Sequence, residues 1–270
     1  MTLKSEIHSQ LAPLAAIMVA PNGARLKKTD HPALPVTVAE IVSTALSCAR
    51  AGADGIHAHV RDREGNHTLD EGLYRELLAE LAQVVPDMQH QITTEAVGRY
   101  SPEEQMRLVQ AVRPGSVSIS LAEMTSEGCT SQIESFYRWC DESEIAVQHI
   151  LYSPDDLVRL IKLCSQGKIP LRRLQMLFVL GRYGHAVPSE PEAIAGFLQL
   201  LPQFAVKPDW AVCAFGRSET ACLRAAERLG GKIRIGFENN TINEDGSIAR
   251  DNADRVLQFI SSRDHHVSGV

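Results

Sequence analysis

The stretch GIHAHVRD places two imidazoles, His57 and His59, two residues apart at the end of an apolar run. On a strand, residues i and i+2 point to the same face. Both rings therefore emerge on one side, close enough to share an ion. Two ligands do not hold a catalytic metal, and one strand cannot wrap it. The third donor must come from another strand end, and Glu95, Glu123, His149 and Glu238 are available. Three protein ligands with open positions left over is the pattern of catalytic zinc.

Something must position those donors. Eight short apolar or β-branched runs alternate with longer amphipathic ones. The strands are expected at 14–21, 55–60, 90–96, 116–120, 146–151, 174–180, 210–215 and 232–237. Helix signals fill the gaps. Thr37 and Glu40 form a capping box, and Gly52 follows that helix as a terminator. Ser101, Pro102 and Glu104 repeat the pattern, and Ser153 opens a helix that ends at Gly167. Further helices fit 71–85, 131–142, 190–201, 218–229 and 251–262. Eight such units in 270 residues, with no long linker, predict one (β/α)8 barrel over 1–270, a TIM barrel. A doubly wound sheet is the alternative, but no G-x-G-x-x-G follows the first strand. The tail after about 262 reads as disordered.

In a barrel the chemistry sits at the C-terminal strand ends. Those ends read APNGAR, HAHVRD, TTEA, SLAEM, QHILYS, GRYGH, FGRSE and FENN. Acids, imidazoles and guanidiniums gather there. Glu238 is the strongest third ligand, because the second and eighth strands are separated by only one strand. Arg234, four residues earlier, lies on the same face and lower in the barrel. A buried arginine needs a carboxylate partner or an anionic ligand.

Composition narrows the classes. The chain is 44% hydrophobic with a formal net charge of −6, and its basic residues are dispersed, which argues against nucleic acid. No segment has the roughly 20 apolar residues of a membrane span. The N-terminal residues, with Glu6 and His8, do not read as a signal peptide. The six cysteines include no C-x-x-C pair and read as reduced thiols of a cytoplasmic protein.

Five separated motifs occur in order: APNGARLKKTDHPALPVT, GADGIHAHVRDREGNHTLD, QITTEAVGRYSPEEQ, VQHILYSP and IRIGFENN. Together they resemble the β-keto acid cleavage enzymes, from about residue 14 to about 260. The resemblance implies a zinc-bearing TIM barrel, a homotetramer. Its reaction converts a β-keto acid and acetyl-CoA into acetoacetate and a new acyl-CoA. His57, His59 and Glu238 match the family's metal ligands. Arg234 matches the arginine that handles substrate carboxylate and enolate, and Thr93 matches a hydroxyl residue on the third strand. Acetyl-CoA would enter past basic residues, for which Arg25, Lys27, Lys28 and Arg99 are candidates.

Two positions depart from the founding enzyme. Its aspartate after the ligand glutamate, thought to act as base, is Asn239 here, and an amide takes no proton near neutral pH. The role then moves to Glu95, Glu123 or His149, each of which could instead support a zinc-bound histidine or Arg234. Its glutamate that receives the substrate's amino group is Arg25 here. That reversal points to a neutral or anionic β-keto acid. The alternatives are another divalent-metal barrel hydrolase or aldolase, and a non-catalytic relative that binds β-keto acid or CoA.

Overall fold

The computed structural model describes residues 13–172, 174–182 and 189–264. Eight parallel strands close into a barrel in sequence order. They are β1 (Ile17–Val19), β2 (Gly55–Ala58), β3 (Gln89–Thr93), β4 (Ser116–Ser120), β5 (Ala146–Leu151), β6 (Gln175–Leu180), β7 (Asp209–Ala214) and β8 (Lys232–Ile235). The helices between them are α1 (Val38–Arg50), α2 (Glu71–Val84), α3 (Pro102–Val112), the single turn α4 (Leu121–Met124), α5 (Ser131–Glu142), α6 (Pro154–Ser165), α7 (Ile194–Leu198), α8 (Glu219–Arg228) and α9 (Asn252–Asp264). This is the expected (β/α)8 barrel. No helix among the described residues is long and apolar enough to cross a membrane.

Strand parity sorts the side chains. Ile56, Ile92, Val117, Phe178, Val212 and Ile233 face outward into the core shared with the helices. The inward face is divided. Around β6 and β7 it is apolar, with Ile150, Leu177, Val179, Ala211 and Cys213 in one cluster. From β2 to β5 it is polar, carrying His57, Gln91, Thr93, Ser116, Ser118, Ser120 and Gln148, all buried. The polar half holds the candidate donors.

Several elements differ from expectation. The segment 190–201 is not one helix but two 3-10 turns, Pro191–Ala193 and Leu201–Gln203, flanking the short α7. Gly196 weakens it from within, and Pro202 lacks the N–H that continuation needs. The unanticipated α4 begins directly at the end of β4, where the Ser120 hydroxyl accepts from the Glu123 N–H at 3.2 Å. Strands β1, β2, β3 and β8 stop two or three residues early, because their last residues bend into the loops over the barrel mouth. The expected disordered tail is helical to Asp264; residues 265–270 and 1–12 lie outside the described residues.

The capping box of α1 is present: the Glu40 N–H donates to the Thr37 hydroxyl at 3.2 Å, and the Thr37 N–H donates back to Glu40 at 3.0 Å. Burial raises the Glu40 carboxyl, but the Lys28 ammonium and the N–H groups of Val36 and Thr37 outweigh it, lowering it to about 2. A carboxylate depressed in the folded state adds stability above its unfolded value of 4.5, and loses it as pH falls toward 2. Glu40→Gln should flatten this acid-side slope and cost roughly 1 kcal/mol or less at pH 7. The side chain is 39% exposed, so solvent screens the pair. Urea unfolding at pH 7 and pH 3 reads both; equal slopes in wild type and variant would contradict the assignment.

Candidate metal centre and cavity

His57 and His59 stand at the end of β2, both 1% exposed, with their Nε2 atoms 3.1 Å apart. Glu238 arrives from the loop after β8, on the far side of β1. Its Oε2 lies 3.5 Å from His57 Nε2 and 3.4 Å from His59 Nε2. Three donor atoms thus form a nearly equilateral triangle, the one such group of His, Cys, Asp and Glu among the described residues. A tetrahedral ion with bonds of about 2.0–2.1 Å has ligand–ligand edges of about 3.3–3.4 Å. The observed edges match that figure, so the residues fit a metal with one corner left open.

Two loops hold Glu238 in place. The Asn22 side chain donates to the carbonyls of His59 and Pro35 at 2.8 and 3.1 Å, and accepts from the His59 N–H. Arg61 ties the same loop down through the carbonyls of Asn22, Gly23 and Leu26. Asn252 bridges the two loops, accepting from the Phe237 N–H at 2.9 Å and donating to the Pro21 carbonyl at 3.1 Å. Gly23 is then pressed against the ligand. Its φ is +57°, and a Cβ there would lie 2.6 Å from Glu238 Cγ. Gly236, with φ +142°, lets the β8 loop pass the Ala20 carbonyl at a place where a Cβ would sit 2.4 Å from the oxygen.

Electrostatics keep His57 and Glu238 in the form that can bind a metal. Burial, helped by the Arg234 charge, holds the His57 pKa well below its ordinary value, so the ring is neutral. Burial would raise the Glu238 carboxyl, but Arg234 overrides it and keeps it far below the usual carboxylate range. Arg234 Nη2 donates to Glu238 Oε1 at 3.0 Å, leaving Oε2 on the histidine side. Arg234 is 4% exposed, and its Nε and Nη1 have no hydrogen-bond partner among the described residues.

Two corners of the triangle, His57 and Glu238, stand on the wall of a cavity of about 440 Å³, within the range of small-ligand sites. Thr93, Glu95, Glu123, Arg25 and Arg234 line it, together with His57 and Glu238. The Thr93 hydroxyl accepts from the Glu95 N–H at 3.0 Å. Glu95 Oε2 lies 3.7 Å from His59 Nδ1. Glu123 Oε2 accepts from the Ala96 N–H at 3.0 Å. Burial raises the pKa of both carboxyls above the ordinary value.

Other sequence candidates lie elsewhere. His149 is corrected outright. It follows inward-facing Gln148, so its ring points outward, 5.3 Å from the Tyr137 ring and beneath α5. Burial lowers its pKa to about 4, but it cannot reach the mouth. Arg99 donates to the His67 carbonyl at 3.3 Å, lies over the Tyr100 ring and is not among the residues lining the cavity. Lys28 pairs with Glu40 at 2.7 Å on the surface, and Lys27 is absent from the cavity wall. Asn239 is buried and off the lining, and both polar atoms of its carboxamide are without a hydrogen-bond partner among the described residues.

Sequence reasoning missed Tyr152, Arg182, Ser120 and Phe215, which complete the cavity wall. Tyr152 was within reach, since it shares the parity of Gln148 and Ile150. Arg182 follows Gly181 just past the end of β6, 5.9 Å from the Tyr152 ring. The rest of that strand-end motif, Tyr183 to His185, lies outside the described residues.

The model of the β-keto acid cleavage enzyme family matches residues 15–263. The chain belongs to that family. Among curated relatives, a 3-keto-5-aminohexanoate cleavage enzyme of Acetoanaerobium sticklandii is 26% identical over 244 residues, covering 88% of this chain and 87% of its own. A 3-oxoadipate:acetyl-CoA acetyltransferase of Cupriavidus necator is also 26% identical, covering 90% and 86%. Among solved structures, ObcA in binary complex with oxaloacetate superposes with a TM-score of 0.70 at 14% identity. That match covers 87% of this chain and 64% of ObcA, so this family member spans less than two thirds of ObcA's length and shares its fold.

His57→Ala and Glu238→Ala should each cut zinc affinity by more than the roughly 10–100-fold that loss of an outer hydrogen-bond partner costs. Gly23→Ala should weaken binding about tenfold without removing any ligand, because the new methyl displaces Glu238. Competition with a chromophoric chelator measures all three. Wild-type affinity in Glu238→Ala would remove it from the ligand set.

Proposed function

We propose that the protein is a zinc-dependent β-keto acid cleavage enzyme that transfers an acyl group to CoA. One observation carries the reading: a buried arginine with two nitrogens unpartnered among the described residues stands beside an open three-donor metal set. Each buried donor left without a partner costs about 1–3 kcal/mol, so Arg234 is built to meet an anion. The carboxylate of a β-keto acid is such an anion, and its 1,3-dicarbonyl skeleton suits a metal with an open corner. His57, His59 and Glu238 would hold the zinc, which when bound supplies Lewis acidity toward the keto and carboxylate oxygens.

The chain's own residues do the rest. Arg234 binds the substrate carboxylate and balances charge that develops on oxygen. Thr93 and Tyr152 line the wall where their hydroxyls orient the substrate. Glu123 takes the proton from C2 of the β-keto acid. One of its oxygens is fixed by the Ala96 N–H, and the carboxyl lines the cavity. Asn239 has no proton-accepting capacity, and Glu95 is turned toward His59. C2 then forms a bond to the acetyl carbonyl carbon of acetyl-CoA, releasing CoA thiolate. The thiolate adds to the original acyl carbonyl, the bond from that carbon to C2 breaks with its electron pair left on C2, and the protonated Glu123 returns the proton to C2. Acetoacetate and the new acyl-CoA leave.

The substrate is a neutral or anionic β-keto acid, with a β-keto dicarboxylate the favoured case. Arg25 and Arg182 both line the cavity, and a second carboxylate would meet one of them. The 3-oxoadipate relative supports this choice. Arg25 also remains the candidate contact for acetyl-CoA. The family resemblance supports a homotetramer, and the free cysteines fit a reducing cytoplasm. Asn239 favours one rival, a binder without turnover.

Acetyl-labelled acetyl-CoA with a panel of β-keto acids separates these readings. Labelled acetoacetate should form, faster from 3-oxoadipate than from 3-keto-5-aminohexanoate. Equal or better turnover of the amino acid would overturn the substrate class, and zinc binding with no CoA-dependent product would leave the binder. Glu123→Gln should lower kcat by about 10²–10⁴-fold with little change in KM; a drop confined to KM would remove it as the base.

A further inference from the structure

A histidine can ligate through Nε2 only if its proton sits on Nδ1, and something must hold it there. His57 Nδ1 lies 2.9 Å from Gln91 Oε1. An amide alone decides nothing, since turned over it would present its NH2 group. The side chains behind it remove that freedom. Gln91 Nε2 donates to Gln148 Oε1 at 3.2 Å and to Ser116 Oγ at 3.3 Å. Gln148 Nε2 donates in turn to the Met176 carbonyl at 3.3 Å. A backbone carbonyl can only accept. It therefore fixes which end of Gln148 faces it, which fixes Gln91, which fixes His57. Both glutamines are 2% exposed, so water does not compete.

We propose that Gln91 and Gln148 form a one-way amide relay, anchored on the Met176 carbonyl, that holds the His57 proton on Nδ1 and leaves Nε2 bare for the metal. The relay crosses β6, β5, β3 and β2, and none of its amides touches the ion. Both glutamines are positioning residues. The bare Nε2 also explains the 3.1 Å approach of the two rings: in the metal-free protein His59 carries its proton on Nε2 and directs it at His57 Nε2. The two histidines of the cluster are therefore opposite tautomers before metal arrives.

The role of the relay in metal binding rests on His57 being a ligand; the tautomer does not, so the two are read separately. Long-range ¹⁵N correlation spectra of the metal-free protein should show His57 protonated at Nδ1 and His59 at Nε2. In Gln148→Leu the anchor is lost, and His57 should become a mixture of tautomers. Zinc affinity, by chelator competition at fixed pH, should fall roughly 3–10-fold in Gln148→Leu and about 10–100-fold in Gln91→Leu. Gln91→Glu supplies a carboxylate that only accepts, whatever lies behind it. In that background Gln148→Leu should have no further effect on affinity, a rescue that a packing role would not produce. A His57 protonated at Nε2 in wild type, or the same Gln148→Leu loss in both backgrounds, would overturn the relay. The expected tautomers with no zinc bound would leave the relay standing and sink the metal reading.

Discussion

A carboxylate must stay ionised inside this barrel, and the Arg234–Glu238 pair is what permits it. Removing a carboxylate from water is unfavourable by several kcal/mol unless a partner compensates. Arg234 meets that demand from one side, through Oε1. Glu238 can then offer Oε2 to the two imidazoles. The pair also sets the sign of the site. One carboxylate and one guanidinium cancel, so a divalent ion would leave the end of the cavity positive and ready for an anion. In the proposed reading, Arg234 serves Glu238 and the substrate with different nitrogens.

The barrel interior is divided to suit that centre. Its apolar half, at β6 and β7, supplies packing and a dry wall. Its polar half, from β2 to β5, hydrogen-bonds to neighbouring side chains and backbone within the barrel. Below the mouth, amides and hydroxyls hold the ligand histidine. Above it, Asn22, Arg61 and Asn252 draw the β1 and β8 loops together, until Gly23 touches Glu238. Precision comes from both directions, and neither set of residues touches the cavity's contents.

The eight strand–helix units were legible because strand ends, caps and terminators repeat along the chain, and Thr37, Ser101 and Ser153 do cap helices as read. The segment around α7 was not, since its apolar spacing looks helical while Gly196 and Pro202 break it. His57 and His59 could be read together from their i, i+2 spacing, and Glu238 from a strand end only one strand away. His149 misled because strand membership was weighed and parity was not: Gln148 faces in, so its neighbour faces out. Gln91 and Gln148 gave no signal. A neutral amide in mid-strand looks like any polar residue until its partners on three other strands are known. Local partners of Arg99 and Lys28, a carbonyl and a carboxylate, were also not legible from charge alone.

The central claim is that three atoms from β2 and the β8 loop form one metal site beneath Arg234. Crystals of the zinc-loaded protein, with anomalous data collected on both sides of the zinc edge, test it most directly. One peak should appear about 2.0–2.2 Å from His57 Nε2, His59 Nε2 and Glu238 Oε2, with its open side toward the cavity. A peak bound by other residues, or none at the triangle in protein that carries stoichiometric zinc, would contradict it.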